Sequence, residues 1–155
     1  MGASSQLADD YDAMMAEAIT FAESCSEADW QTPCSQEQRT VGVLFDHIAV
    51  GNPQVVRWIQ EFLADRPIPI TPEILDGRNA KHSHEAANRP RQETISDLKH
   101  GAAGTSRAIR ALTDDEVHKT QEFGWAGTQE VGWVASAAFR HPRGHLKSIR
   151  QGLGR

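Results

Sequence analysis

Leu7, Tyr11, Met14, Ala18, Phe21 and Cys25 follow one another at steps of four and three. A chain winding at 3.6 residues per turn gathers such positions into one apolar stripe, whereas a strand would scatter them over both faces. The same register returns at Val41, Leu44, Phe45, Ile48, Val55, Ile59, Phe62 and Leu63, and again at Ile95, Leu98, Ala102, Thr105, Ile109 and Leu112. A fourth stripe runs through Val131, Val134, Ala138, His141, His145 and Ile149. Four helical stripes and no convincing alternation predict an all-α chain, four main helices packed in a bundle, as one domain over residues 1–155.

The punctuation supports that count. The first helix is expected from about Ser5 to Ser24, and the second from a Thr40 cap to about Ala64, with Pro53 forcing a kink or a restart. The run Arg66-Pro67-Ile68-Pro69-Ile70-Thr71-Pro72 cannot be helical, and it is long for a bundle link, which permits a crossover. Residues 79–85 open the next helical region, Arg91 starts a cleaner helix, and Thr113 to Glu116 matches a capping box. The stretch from His118 to Gly127 reads as a loop whose Phe123 and Trp125 cover an end of the core, and Thr128 as the cap of the last helix. Trp30 is expected to close an end of the core, Cys25 to be buried, and Cys34 to lie exposed in a polar loop.

His141 and His145 occupy places in the fourth stripe where apolar side chains belong. Spaced four apart, their rings stand one turn above the other and can reach a common point. Burying two neutral imidazoles is costly unless both nitrogens of each find partners, and a metal ion is the simplest such partner. Pro142 between them removes the hydrogen bond to the Ala138 carbonyl and predicts a bend or a fresh start there. His47 flanks the second stripe and by itself reads as a half-buried, hydrogen-bonded histidine. His82 and His84, two apart, point in different directions and read as surface residues, and Asp46 reads as a solvated charge. Arg140 and Arg143 flank the late histidines; Arg143 is the candidate to meet an anionic substrate, against the plainer reading of a solvated basic face.

Composition removes several function classes. A net charge of −5 with no basic cluster disfavours nucleic acid, and no apolar run is long enough to span a bilayer. The first residues carry neither a basic segment nor an apolar core, so no leader is expected. Two cysteines are too few for a disulfide framework, and a cytoplasmic protein with reduced thiols is the default expectation. No nucleophile triad, phosphate-binding glycine loop or paired-carboxylate motif competes with the histidines.

In their order and separation, Val41-Gly42-Val43-Leu44-Phe45-Asp46-His47-Ile48-Ala49, Asn79-Ala80-Lys81-His82 and the segment His141 to Ile149 resemble the DinB-like superfamily. The resemblance covers most of the chain. It implies a four-helix bundle with a long connection after the second helix, and a divalent metal held by His47, His141 and His145. Gly51 stands where some relatives carry an acidic residue one turn after the second-helix histidine. Three imidazoles and a free position suit zinc, nickel or iron. Similar proteins include enzymes that use mycothiol, bacillithiol or glutathione, such as maleylpyruvate isomerase and thiol S-transferases. The resemblance thus implies a metal-dependent transferase or isomerase joining a low-molecular-weight thiol to a small electrophilic substrate. It implies, more weakly, a homodimer. The alternative is a non-enzymatic, stress-related binding or dimerisation module of the same fold.

Overall fold

The computed structural model describes residues 2–155. Its long helices are α1 (Ala3–Ser24), α3 (Val41–Leu63), α5 (Arg91–Arg110) and α7 (Val131–Leu153), with shorter α2 (Glu27–Trp30), α4 (Pro72–Ala86) and α6 (Asp114–Val117) in the connections. Two antiparallel hairpins complete it: β1 (Pro33–Cys34) with β2 (Arg39–Thr40), and β3 (Thr120–Phe123) with β4 (Gly127–Glu130). The class is all-α. The second hairpin replaces the loop expected from His118 to Gly127, and α7 begins at Val131 after Glu130, so Thr128 is a strand residue and not its cap.

The predicted stripes become the core. Tyr11, Phe45, Phe62, Leu98, Ile109, Val131, Val134 and Ile149 are all fully buried. Each long helix packs against two others, α1 and α3 each touching both α5 and α7. Side-chain pairs fix the directions. Arg110 near the end of α5 reaches Asp9 and Asp12 near the start of α1, each at 2.6 Å, so these two helices run antiparallel. Thr94 and Thr105 of α5 meet Asp46 and the Asn52 carbonyl of α3 in the same order, so α3 and α5 are parallel neighbours. Parallel neighbours cannot be joined by a tight turn. The 15 residues of α4, about 22 Å long, carry the chain back from the end of α3 to the start of α5. Thr71 caps α4 and Pro72 occupies its first turn, where a missing N–H is harmless, so α4 begins seven residues before the expected 79.

Two glycines permit close approaches. A Cβ at Gly42 would lie 2.2 Å from the Trp30 indole nitrogen, because Trp30 stacks on Phe45 at 5.3 Å between ring centroids and shuts the core at that end. A Cβ at Gly124 (φ +40°) would lie 1.8 Å from the Ile70 carbonyl oxygen, where the link after α3 bridges to the second hairpin.

At neither proline does the helix start afresh. Pro53 and Pro142 sit inside continuous helices. A single lost hydrogen bond is outweighed where the turns on either side are buried, as Asn52 and Val55 are around Pro53, and Phe139 and Leu146 around Pro142. Cys25 is buried as expected; Cys34 is buried too, at 1 % exposure, because the first hairpin folds against Gly152 of α7. Trp30 and the Phe123–Trp125 pair lie at opposite ends. Phe123 is buried among Trp58, Phe62 and Trp133, while Trp125 is 53 % exposed.

Candidate metal centre

Thr40 accepts a hydrogen bond from the Val43 amide and so fixes where α3 starts. That start places His47 in the second turn, half-buried between α7 and α4. Across from it, α7 presents His141 and His145 one turn apart. The Nε2 atoms of His47 and His141 are 3.1 Å apart, those of His141 and His145 2.9 Å, and the three ligand atoms all lie within 4.8 Å of one another. Tetrahedral zinc with nitrogens at about 2.0–2.1 Å needs them roughly 3.3 Å apart, and the two separations that involve His141 are within a few tenths of an ångström of that requirement. The three histidines could hold a metal ion.

The protonation chemistry agrees. Burial, reinforced by His145, Arg39 and His141, pushes His47 down to about 3. Burial and His145 push His141 down to about 4, with its outer edge still exposed. Burial likewise lowers His145, against the opposing pull of Glu37. Three neutral imidazoles therefore bring lone pairs together at neutral pH, an arrangement that repels itself unless a cation or a shared proton sits between them.

Glu37, in the turn of the first hairpin, supplies the orientation. Its Oε1 lies 2.9 Å from His145 Nδ1, and its Oε2 accepts from Arg39 Nη2 at 2.8 Å. Burial would raise the Glu37 carboxyl, but the His145 hydrogen bond and the Arg39 pairing hold it at about 2. A carboxylate there selects the Nδ1–H tautomer of His145, which turns its Nε2 lone pair inward.

Behind His47 lies a second polar cluster. Asp46 is 3 % exposed; it takes His82 Nε2 at 2.8 Å on Oδ2, and Arg89 and the Thr94 hydroxyl at 2.7 Å on Oδ1. Burial alone would raise its carboxyl, and these three donors bring it down to about 2. Asp46 is therefore no solvated charge, and His82 no surface residue: α4, which carries His82, and α5 close over Asp46. The His82 ring stands 5.7 Å from that of His47.

The family model of the DinB superfamily matches residues 10–149. The chain belongs to the DinB superfamily. No curated protein and no solved structure matches it. Within this DinB chain His47, His141 and His145 come together from two helices. Arg143 does not join them: its guanidinium lies over the Phe139 ring at 5.5 Å, on an exposed part of α7 two residues from either histidine. Sequence reasoning missed Glu37, Arg39 and the role of Asp46. Glu37 and Arg39 lie in a polar loop with no periodicity to aim them. Asp46 left one signal, its place in a run from Val41 to Ala49 that is apolar apart from Gly42 and His47.

Proposed function

We propose that the chain binds a divalent metal through His47, His141 and His145 and uses it to present a low-molecular-weight thiol to a small electrophile, as a transferase or isomerase. The fold supporting this site is read as the four-helix DinB bundle, with α4 as the long connection after its second main helix. The observation that carries the reading is the convergence of three neutral imidazoles, one of them oriented by Glu37. Such a donor set leaves a coordination position for an external ligand. A bound divalent ion supplies Lewis acidity there, enough to hold a thiol as thiolate near neutral pH.

The protein's own residues have distinct tasks. Glu37 holds the proton on Nδ1 of His145 and fixes the ring's angle. Asp46, locked by Arg89, Thr94 and His82, anchors the turn of α3 that carries His47. Both cysteines are buried, and burial raises both thiols, so neither serves as the nucleophile and the thiol comes from outside. Zinc, nickel and iron all suit the ligand set.

The test begins with elemental analysis of tag-free protein. Turnover of a chromogenic electrophile is then measured with mycothiol, bacillithiol and glutathione, comparing metal-loaded protein with the His145→Ala variant. Metal-dependent turnover that is lost in the variant supports the enzyme. Bound metal without turnover for any thiol favours the non-enzymatic binding module instead.

A further inference from the structure

Three buried side-chain nitrogens among the described residues have no hydrogen-bond partner: Arg39 Nη1, Asn52 Nδ2 and His82 Nδ1. The Asn52 amide sits in the middle of the core, where its oxygen already takes the Tyr11 hydroxyl at 2.7 Å. His82 has its other ring nitrogen satisfied by Asp46. Arg39 differs in kind, because a guanidinium stays charged under all ordinary conditions. Its side chain is only 15 % exposed. One arm, Nη2, is committed to Glu37, and the other has nothing to bond. A buried cationic N–H without a protein acceptor is a costly unsatisfied donor, and a ligand or an ordered water is what would meet it.

Its location says which ligand. Glu37 is shared: one oxygen holds Arg39 and the other holds His145. The guanidinium is thus joined through a single carboxylate to the imidazole cluster, and its charge lowers the basicity of all three histidines. We propose that Arg39 is the anion-binding residue of this site, its Nη1 receiving a carboxylate of a small ligand whose reacting end lies at His47, His141 and His145. What occupies the reacting end rests on the metal–thiol reading; the carboxylate contact does not. The ligand class is a compact molecule with a carboxylate a few bonds from its sulfur or electrophilic carbon. With Nη2 held by Glu37, the charged Nη1 arm favours a carboxylate oxygen and discriminates against a neutral analogue.

The experiment compares mercaptoacetate, its neutral analogue 2-mercaptoethanol, and acetate. Cobalt-loaded wild-type, Arg39→Lys and Arg39→Gln proteins are titrated with each and followed by visible absorption. Wild type is expected to bind mercaptoacetate at least tenfold tighter than 2-mercaptoethanol. With cobalt at saturation in each protein, Arg39→Gln should bring the ratio close to one, and Arg39→Lys should fall between. That pattern assigns the carboxylate to the thiol. If acetate binds in the presence of saturating 2-mercaptoethanol and needs Arg39, the carboxylate belongs to the second substrate, and the proposal also stands. An equal preference in wild type and Arg39→Gln overturns it while leaving the metal–thiol reading intact. If no thiol changes the spectrum, or no cobalt is held, that reading fails, and Arg39 is decided separately in metal-free wild-type protein. There, movement of the Arg39 guanidinium nitrogen resonances with acetate carries the proposal, and none overturns it.

Discussion

The Nδ1 atom of His145 and the Oε1 atom of Glu37 lie 2.9 Å apart, although 108 residues separate them. The contact ties the turn of the first hairpin to the C-terminal half of α7. It also makes a loop carboxylate responsible for how a helical imidazole is turned.

Replacing that carboxylate by an amide removes the preference for the inward-facing lone pair. Glu37→Gln is expected to weaken metal affinity about 10- to 100-fold with the helical content unchanged. Competition against a coloured chelator measures this, and an unaltered affinity would show that Glu37 has no part in orienting the ligand.

Among the histidines, position decides the outcome. His47→Ala, His141→Ala and His145→Ala should each lower metal affinity by roughly two orders of magnitude or more, since each removes one of three ligands. His84→Ala, His100→Ala and His118→Ala alter exposed rings and should leave it unchanged. Equal retention in His47→Ala and His84→Ala would mean that the ligand set is misassigned.

Asp46→Asn tests the polar cluster behind His47. The amide cannot accept from His82, Arg89 and Thr94 as the carboxylate does, and it leaves Arg89 short of a buried counter-charge. Loss of about 3 kcal/mol is expected, read from urea unfolding of the metal-free protein. A change within experimental error would place the cluster's contribution elsewhere.

Acid should destabilise the metal-free protein early. His47 and His141 have folded pKa values of about 3 and 4, below the ordinary value of 6.5. Between those limits the unfolded chain binds more protons than the folded one, so stability increases with pH in this window. It is complete above about pH 6.5 and falls steadily on acidification toward the folded values. Glu37 and Asp46, held near 2, add a second loss below about pH 4. Thermal midpoints of wild type and His47→Gln between pH 7 and 4 check this; the variant should show the shallower slope.

Gly42→Ala addresses the closed end of the core. Its new methyl would meet the Trp30 ring, which Phe45 holds from the other side, so the indole cannot withdraw without losing its stack. About 1–3 kcal/mol of destabilisation is expected. Quenching of Trp30 fluorescence should change with it.

The helices were legible because a 3.6-residue period records burial directly in the order of residues. Leu7 to Cys25 and Ile95 to Leu112 read as helices for that reason alone. His141 and His145 were legible as chemistry because they interrupt such a stripe. His47 was weaker, and only the family resemblance joined it to them. The second hairpin escaped notice since Thr120 to Glu122 and Thr128 to Glu130 are all polar and show no alternation, while Phe123 is engaged by Ile68 across the link. Asp46 and His82 were misread because a residue beside a stripe is exposed or buried according to which neighbour covers it. That neighbour is α4, whose own apolar pattern is faint. Glu37 lies in, and Arg39 directly follows, a turn whose direction depends on Gln38 at φ +53°, a left-handed position without a glycine to announce it.

The parallel course of α3 and α5 has an electrostatic consequence. Every helix carries roughly half a positive charge at its N-terminus and half a negative charge at its C-terminus. Because α4 returns the chain before α5 begins, two positive ends stand side by side, with Asp46 in the second turn of one and bonded to Thr94 in the first turn of the other. Backbone dipoles thus help neutralise a carboxylate that is almost sealed from water. The two negative ends lie together at the opposite pole, where Lys119 donates to the Leu63 carbonyl and Arg107 and Arg110 occupy the last turn of α5. The route of one connecting helix therefore pairs the like ends of α3 and α5, while α1, antiparallel to α5, brings a negative end to the pole where Asp46 and the histidine cluster lie.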